Sequence, residues 1–193
     1  DLPEVDLMGH SIGSSIIWSY YDLYGDYRLG RLVFVDQPPS VTAKPDWSKE
    51  ERHLYGCLLP DLPALAEFYL DVLAAESAEA TATVIARLFS PALPKNELLW
   101  FASEIVKLPR RHAADLLYNH CSLDWRNVIK TIRLPSLVVG AEASIFSAES
   151  QRWIAAQIPG AAVEIFAAGE GGSHFMCYEN PVKFNALVEA FLA

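Results

Sequence analysis

The sequence predicts an α/β fold: a parallel sheet whose strands are joined by helices, with a helical insertion between two of the strands. Three observations lead there. Short apolar runs of strand length fall at residues 5–9, 32–35, 135–140 and 162–166, each with Gly, Pro or Asp within three residues of its end. The first two runs are separated by an amphipathic stretch of good helix length, and strand, helix, strand at this spacing is a βαβ unit, hence parallel pairing. Finally, helical patterns follow one another without a strand from residue 40 to residue 132.

The first strand and helix meet at Val5-Asp6-Leu7-Met8-Gly9-His10-Ser11-Ile12-Gly13. An apolar run feeds a Gly-x-Ser-x-Gly pentapeptide, and the amphipathic stretch starts at once. A serine is a poor nucleophile unless its hydroxyl is held exposed beside a base and near donors for a developing oxyanion. A sharp strand-to-helix turn does this, and it calls for small residues two before and two after the serine. Gly9 and Gly13 occupy those positions. Ser11 is therefore the candidate nucleophile, and the amide of Ile12, at the helix start, is the candidate oxyanion donor. His10, in the variable position, is expected to line the site rather than act as a base. The helix itself is read over residues 12–26, with Ile16, Ile17, Tyr20, Leu23 and Tyr24 forming its apolar stripe.

The second strand ends in Asp36-Gln37-Pro38-Pro39, which cannot continue a sheet. Helices are then expected at 62–75, 78–89, 96–106, 110–121 and 124–132, punctuated by Pro60, Pro91, Pro94 and Pro109. Trp47, Trp100, Phe101 and Trp125 add aromatic bulk. An insertion of this kind has the character of a cap over a site, with Trp100 a candidate substrate contact and most other aromatics packing residues. After the third strand come a helix at 146–158, the fourth strand, and a closing amphipathic helix at 181–193. The organisation is thus a core portion at 1–39, a helical cap at 40–132, and a second core portion at 133–193. The last strand and last helix are linked by Gly169-Glu170-Gly171-Gly172-Ser173-His174-Phe175-Met176. A histidine on such a loop, at a strand's carboxyl end, is where open α/β sheets keep their chemistry.

With 193 residues, 52% of them hydrophobic, the chain has enough apolar material for one substantial core. Its net charge of −9 argues against nucleic acid or an anionic membrane face as partner. Cys57, Cys121 and Cys177 are few and widely spaced, which points away from a disulfide framework or zinc site and towards a reducing, cytoplasmic setting. His53, His112 and His120 fall in the cap without metal-ligand spacing and are expected on its surface or in its packing. Neither a cofactor nor a metal is implied.

The elbow Gly9-His10-Ser11-Ile12-Gly13 and the strand Leu32-Val33-Phe34-Val35-Asp36, together with Pro135-Ser136-Leu137-Val138-Val139-Gly140 and His174-Phe175-x-x-x-Glu179-x-Pro181, resemble the α/β-hydrolase family. The wording Ile17-Trp18-Ser19-Tyr20 with Val35-Asp36-Gln37-Pro38-Pro39 is most similar to its cofactor-free haloperoxidase-like and esterase branch. The resemblance implies Ser11 as nucleophile and His174 as general base; Phe175, beside the histidine, is a candidate substrate contact, and the apolar cap suggests a small hydrophobic or aromatic acyl substrate. It also leaves open peroxide in place of water, carbon–carbon bond hydrolysis on the same residues, and a non-catalytic ligand-binding homologue.

Two departures from the family pattern stand out. The usual acid position, three residues after the glycine of the third strand, holds Ala143. Asp36 is the first substitute because it ends the strand after the elbow helix; Asp124 and then Glu142 follow. All three keep the chain order serine, acid, histidine. The strands that family members carry before the elbow, and the second oxyanion donor that comes with them, have no counterpart here. An upstream segment or a second chain completing the sheet is therefore expected, with one strand edge left exposed until it docks.

Overall fold

The computed structural model describes residues 2–193. Four strands, β1 (Val5–His10), β2 (Leu29–Val35), β3 (Ser136–Ala141) and β4 (Ala162–Phe166), form a parallel sheet in the order β1-β2-β3-β4. Helix α1 (Ile12–Tyr24) makes the first crossover and α8 (Ala148–Gln157) the last. Because a strand's side chains alternate, one sheet face presents Leu32, Phe34 and Val138 to Ile17, Trp18 and Ile154. The other presents Val33, Val35, Leu137 and Val139 to Phe184 and Val188 of α10 (Pro181–Leu192). Both faces of β2 and β3 are covered, which is why these two strands read as continuous apolar runs rather than alternating ones.

Between β2 and β3 lie α2 (Lys49–Leu54), α3 (Leu62–Ala74), α4 (Ala78–Ile85), α5 (Lys95–Ile105), α6 (Arg110–Ser122) and α7 (Arg126–Ile129). The two ends of this segment are pinned together. Ser40 forms a bridge with Asp124, and the Trp125 amide donates to the Pro39 carbonyl at 2.8 Å. Arg126 strengthens the pin, with its guanidinium 4.3 Å from the Trp47 ring centre, 4.5 Å from that of Tyr55, and paired to Asp124 at 2.9 Å. This pairing accounts for one difference from expectation. The helix anticipated over 124–132 starts late because Asp124 and Trp125 are spent on the bridge to residues 39 and 40. After Ile129 it gives way to tighter turns, the Thr131 amide donating to the Val128 carbonyl at 2.9 Å and the Ile132 amide to that of Ile129 at 3.2 Å. Conversely, α2 was not anticipated, although Ser48 and Glu51 form a reciprocal capping box at its start.

Strand β1 has no partner on its outer side among the described residues. Met8 on β1 and Ile16, Leu23 and Tyr24 on α1 are all more than half exposed. The sequence stripe assigned to α1 is therefore only partly a core stripe: Ile17 is buried and Tyr20 packs partly buried against the core, while Ile16, Leu23 and Tyr24 face outward and Trp18, outside the stripe, is fully buried.

Candidate active site

Parallel strands bring their carboxyl ends to one edge, and three loops there deliver the site. Ser11 follows β1, Asp36 follows β2, and His174 lies after β4 beyond a short 3-10 turn (Ala168–Glu170). Ser11 has φ 54° and ψ −126°, a conformation a side chain rarely takes, and Asp36 has φ 47°. Strain of this kind persists only where surrounding contacts enforce it. At the elbow, the Ser14 hydroxyl donates to the Gly9 carbonyl at 2.6 Å and accepts from the Val35 amide at 3.3 Å, tying turn to sheet. The Ser11 amide donates to the Val35 carbonyl at 2.8 Å. A Cβ on Gly9 would lie 2.4 Å from the Gly13 carbonyl carbon, so Gly9 cannot be enlarged. Gly13 differs from expectation: a Cβ there would meet nothing within 4 Å, and the crowding falls on the first glycine alone.

The His174 ring nitrogen Nδ1 lies 2.6 Å from Asp36 Oδ2, with both side chains buried. Ser144 donates its hydroxyl to the same oxygen, and its own oxygen accepts from the Phe146 amide at 3.2 Å. Complete burial raises the Asp36 pKa, and the hydrogen bonds and charge of His174 and then the Ser144 hydroxyl work against that rise. Of the three carboxylates considered from sequence, Asp36 is the one at the histidine. Asp124 is engaged by Lys44 at 2.8 Å and by Arg126. Burial opposes its ionisation, but these two cations win and its pKa is lowered. Glu142 is exposed and accepts from the Ala168 amide at 3.1 Å. Ser144, adjacent to the empty acid position at Ala143, was missed by sequence reasoning; a serine one residue from that position carries no distinguishing signal.

His10 braces the loop that holds His174. Its Nε2 lies 2.8 Å from the His174 backbone oxygen, and the two rings are 4.6 Å apart. Burial, then the neighbouring His174, lower its pKa to about 4, while the hydrogen bond to the carbonyl acts in the opposite sense. A neutral ring with Nε2–H donating to that carbonyl follows at neutral pH. His10 therefore supports the loop instead of lining the cavity. Phe175 also turns away: it stacks on Phe89 at 4.5 Å and 6° and touches Phe101, joining the His174 loop to the cap cluster. Trp100 is 54% exposed on α5, packs edge-on against Phe101 and does not border the cavity. Its place on the helix puts it on the solvent side, with Phe101 turned inward.

A cavity of about 190 Å³ opens between the sheet edge and the cap and is bordered by Ser11, Ile12 and His174 from the core. From the cap, Phe68, Val72, Ile85, Leu117 and His120 face it, with Ile145 and Phe146 closing one side. Helix α1 starts at Ile12 with no side chain capping its first turn; the Ser14 amide donates to the Ser11 carbonyl at 2.8 Å, and the Ile12 and Gly13 amides are left to meet an anion. His53 is exposed and paired with Glu149 at 3.2 Å, and His112 is exposed, as expected for cap surface. Burial pushes the Cys121 thiol up to about 12 and raises that of Cys177, making both poor nucleophiles. Among the described residues, no three His, Cys, Asp or Glu side chains gather as a metal site, and no helix is long and apolar enough to cross a membrane.

Comparison with known proteins agrees with this fold. No curated protein matches the sequence significantly. Among solved structures, an esterase from Exiguobacterium antarcticum superposes with a TM-score of 0.82 at 18% identity, covering 98% of this chain and 67% of its own. A bromoperoxidase from Bacillus anthracis gives 0.82 at 18% identity, covering 99% and 68%. An enol-lactonase from Burkholderia xenovorans LB400 gives 0.73 at 18%, covering 99% and 66%. The chain thus spans about two thirds of the length of these structures, and at such identities the likeness speaks to fold. A family model described as the alpha/beta hydrolase family matches residues 1–187, and the chain belongs to that family.

Proposed function

We propose that this protein is a serine hydrolase acting on an ester or related small acyl substrate through an acyl-enzyme. The observation that carries the reading is the buried Asp36–His174 hydrogen bond at 2.6 Å on the same cavity that Ser11 borders. His174 Nε2 takes the Ser11 proton as Oγ attacks the substrate carbonyl carbon. Asp36 fixes the Nδ1–H tautomer and stabilises the imidazolium that forms. The oxyanion is met by the Ile12 amide at the helix start. His174 then returns the proton to the leaving alcohol, and the acyl group stays on Oγ. In the second half, His174 deprotonates a water that attacks the acyl carbon, and Ser11 leaves with its proton restored. The cap side of the cavity is mostly apolar, which suits a small hydrophobic or aromatic acyl group.

The second oxyanion donor is assigned to an upstream segment or second chain lying on the open edge of β1, where Met8, Ile16, Leu23 and Tyr24 are exposed. One experiment addresses both parts: intact mass of the native protein before and after a fluorophosphonate probe, with peptide mapping. A single adduct on Ser11 that is lost in Ser11→Ala, in a particle that includes further polypeptide, is expected. A well-folded protein with no adduct would instead favour a ligand-binding homologue that keeps the elbow as scaffold.

A further inference from the structure

His120 is a buried polar group for which the proposed chemistry has no use. It lies on α6, and Arg110, Ala113, Leu117, His120 and Cys121 all border the cavity, a spacing that puts them on one helix face. The His120 side chain is buried, with 7% of the residue exposed, and its Nδ1 has no hydrogen-bond partner. Buried imidazole nitrogens are normally satisfied, so an orphan on a cavity wall calls for an explanation. The other polar side chains of the cap wall are differently placed. Thr81 donates to the Ala75 carbonyl at 3.1 Å, Arg110 is held by the carbonyls of Ile105 and Leu108, and Arg87 is exposed. His120 alone among these is buried, uncommitted and at the cavity.

We propose that His120 is a substrate-binding residue of the cap, its imidazole receiving an uncharged oxygen, keto or hydroxyl, carried on the acyl chain of the substrate held at Ser11. The proposal rests on the reading of Ser11 as the acylated residue. An uncharged group is specified because burial lowers the His120 pKa to about 4, leaving a neutral ring at neutral pH. A neutral imidazole has one donor and one acceptor, and with no protein partner fixing the tautomer it can serve a carbonyl or a hydroxyl. Val72, Ile85 and Leu117 make much of the cap wall apolar, and Thr81 and Arg110 on the same wall are already engaged by backbone carbonyls. A plain alkyl chain leaves the ring unpaired, and this difference is the source of selectivity.

The test compares p-nitrophenyl hexanoate with analogues in which one chain methylene is replaced by a carbonyl. One analogue is expected to exceed the plain ester in kcat/KM by roughly tenfold. His120→Leu should abolish that preference with the melting temperature unchanged or raised, and His120→Asn should restore part of it. Binding of the free keto acids and of hexanoate to Ser11→Ala, followed by isothermal titration calorimetry, gives a readout independent of turnover. If no ester is hydrolysed but Ser11→Ala favours one keto acid and loses that preference with His120→Leu, the hydrolase reading fails and the His120 site stands. Equal binding and turnover of keto and plain chains overturns the His120 site, as does a preference that survives His120→Leu.

Discussion

At the scale of single residues, the question is what holds the imidazole of His174 ready. Asp36 is fully buried, accepts from His174 at 2.6 Å, and has a second oxygen, Oδ1, without a partner. Ser144 adds a donor to the engaged oxygen. Asp36→Asn would preserve shape but offer an amide in place of a carboxylate, removing both the tautomer lock and the stabilisation of the cation. Steady-state kinetics of an ester should then show kcat reduced by about 10⁴-fold, with KM little changed. Asp124→Asn and Glu142→Gln, whose carboxylates are spent on Lys44 with Arg126 and on the Ala168 amide, should stay within about threefold of the parent. Comparable, mild losses in all three variants would mean that no relocated acid operates.

At the scale of elements, the histidine loop and the cap form one mechanical unit. Phe175 stacks on Phe89, the Tyr178 hydroxyl donates to Glu97 at 2.7 Å, and Glu179 accepts from the Ser90 amide at 2.8 Å and the Ser173 hydroxyl at 2.7 Å. The short helix α9 (Met176–Glu179) therefore bolts the loop to α5 and to the segment after α4. Phe175→Ala should lower stability by about 2 kcal/mol, measured by urea denaturation. Turnover should fall as well, because the loop loses the support that keeps His174 in line. A stability loss with unchanged kcat would show that cap packing and loop position are independent. Much of this was legible in the sequence: all four strands, the elbow and the histidine loop follow from apolar runs bounded by Gly, Pro and Asp. What was not legible depends on contacts between distant segments. The Asp36–His174 pairing spans 138 positions, so only folding could choose it from Asp124 and Glu142. Trp100 and Phe101 are neighbours on α5, and only the packing shows that Phe101 turns inward. The signal for α2, Ser48 with Glu51, was present but went unread. His120 reads as a packing histidine and is buried as such; its orphan nitrogen and the cavity beside it appear only in three dimensions.

At the scale of the whole molecule, two buried histidines tie stability to pH. His10 and His120 are both held neutral, each with a folded-state pKa of about 4 against 6.5 for an unfolded chain. Between these values the unfolded state binds more protons than the folded one, so stability rises with pH across the window and is lost as pH falls through it. Above 6.5 both contributions are fully present, and by about pH 4 they are gone. Each amounts to at most about 3 kcal/mol, a substantial fraction of a typical domain's total. Asp36 acts in the opposite sense, because its raised pKa makes the folded state the tighter proton binder above 3.8. Asp124, whose pKa is lowered, loses its contribution only below that window. The expected result is a marked fall in the urea midpoint from pH 6.5 to pH 4, with a shallower profile in His120→Leu and shallower still when His10→Gln is added. The Gln amide can still donate to the His174 carbonyl, so the double variant removes the titration without removing the brace. If its profile follows the parent's slope throughout this window, protonation of these two rings is not what destabilises the fold in acid.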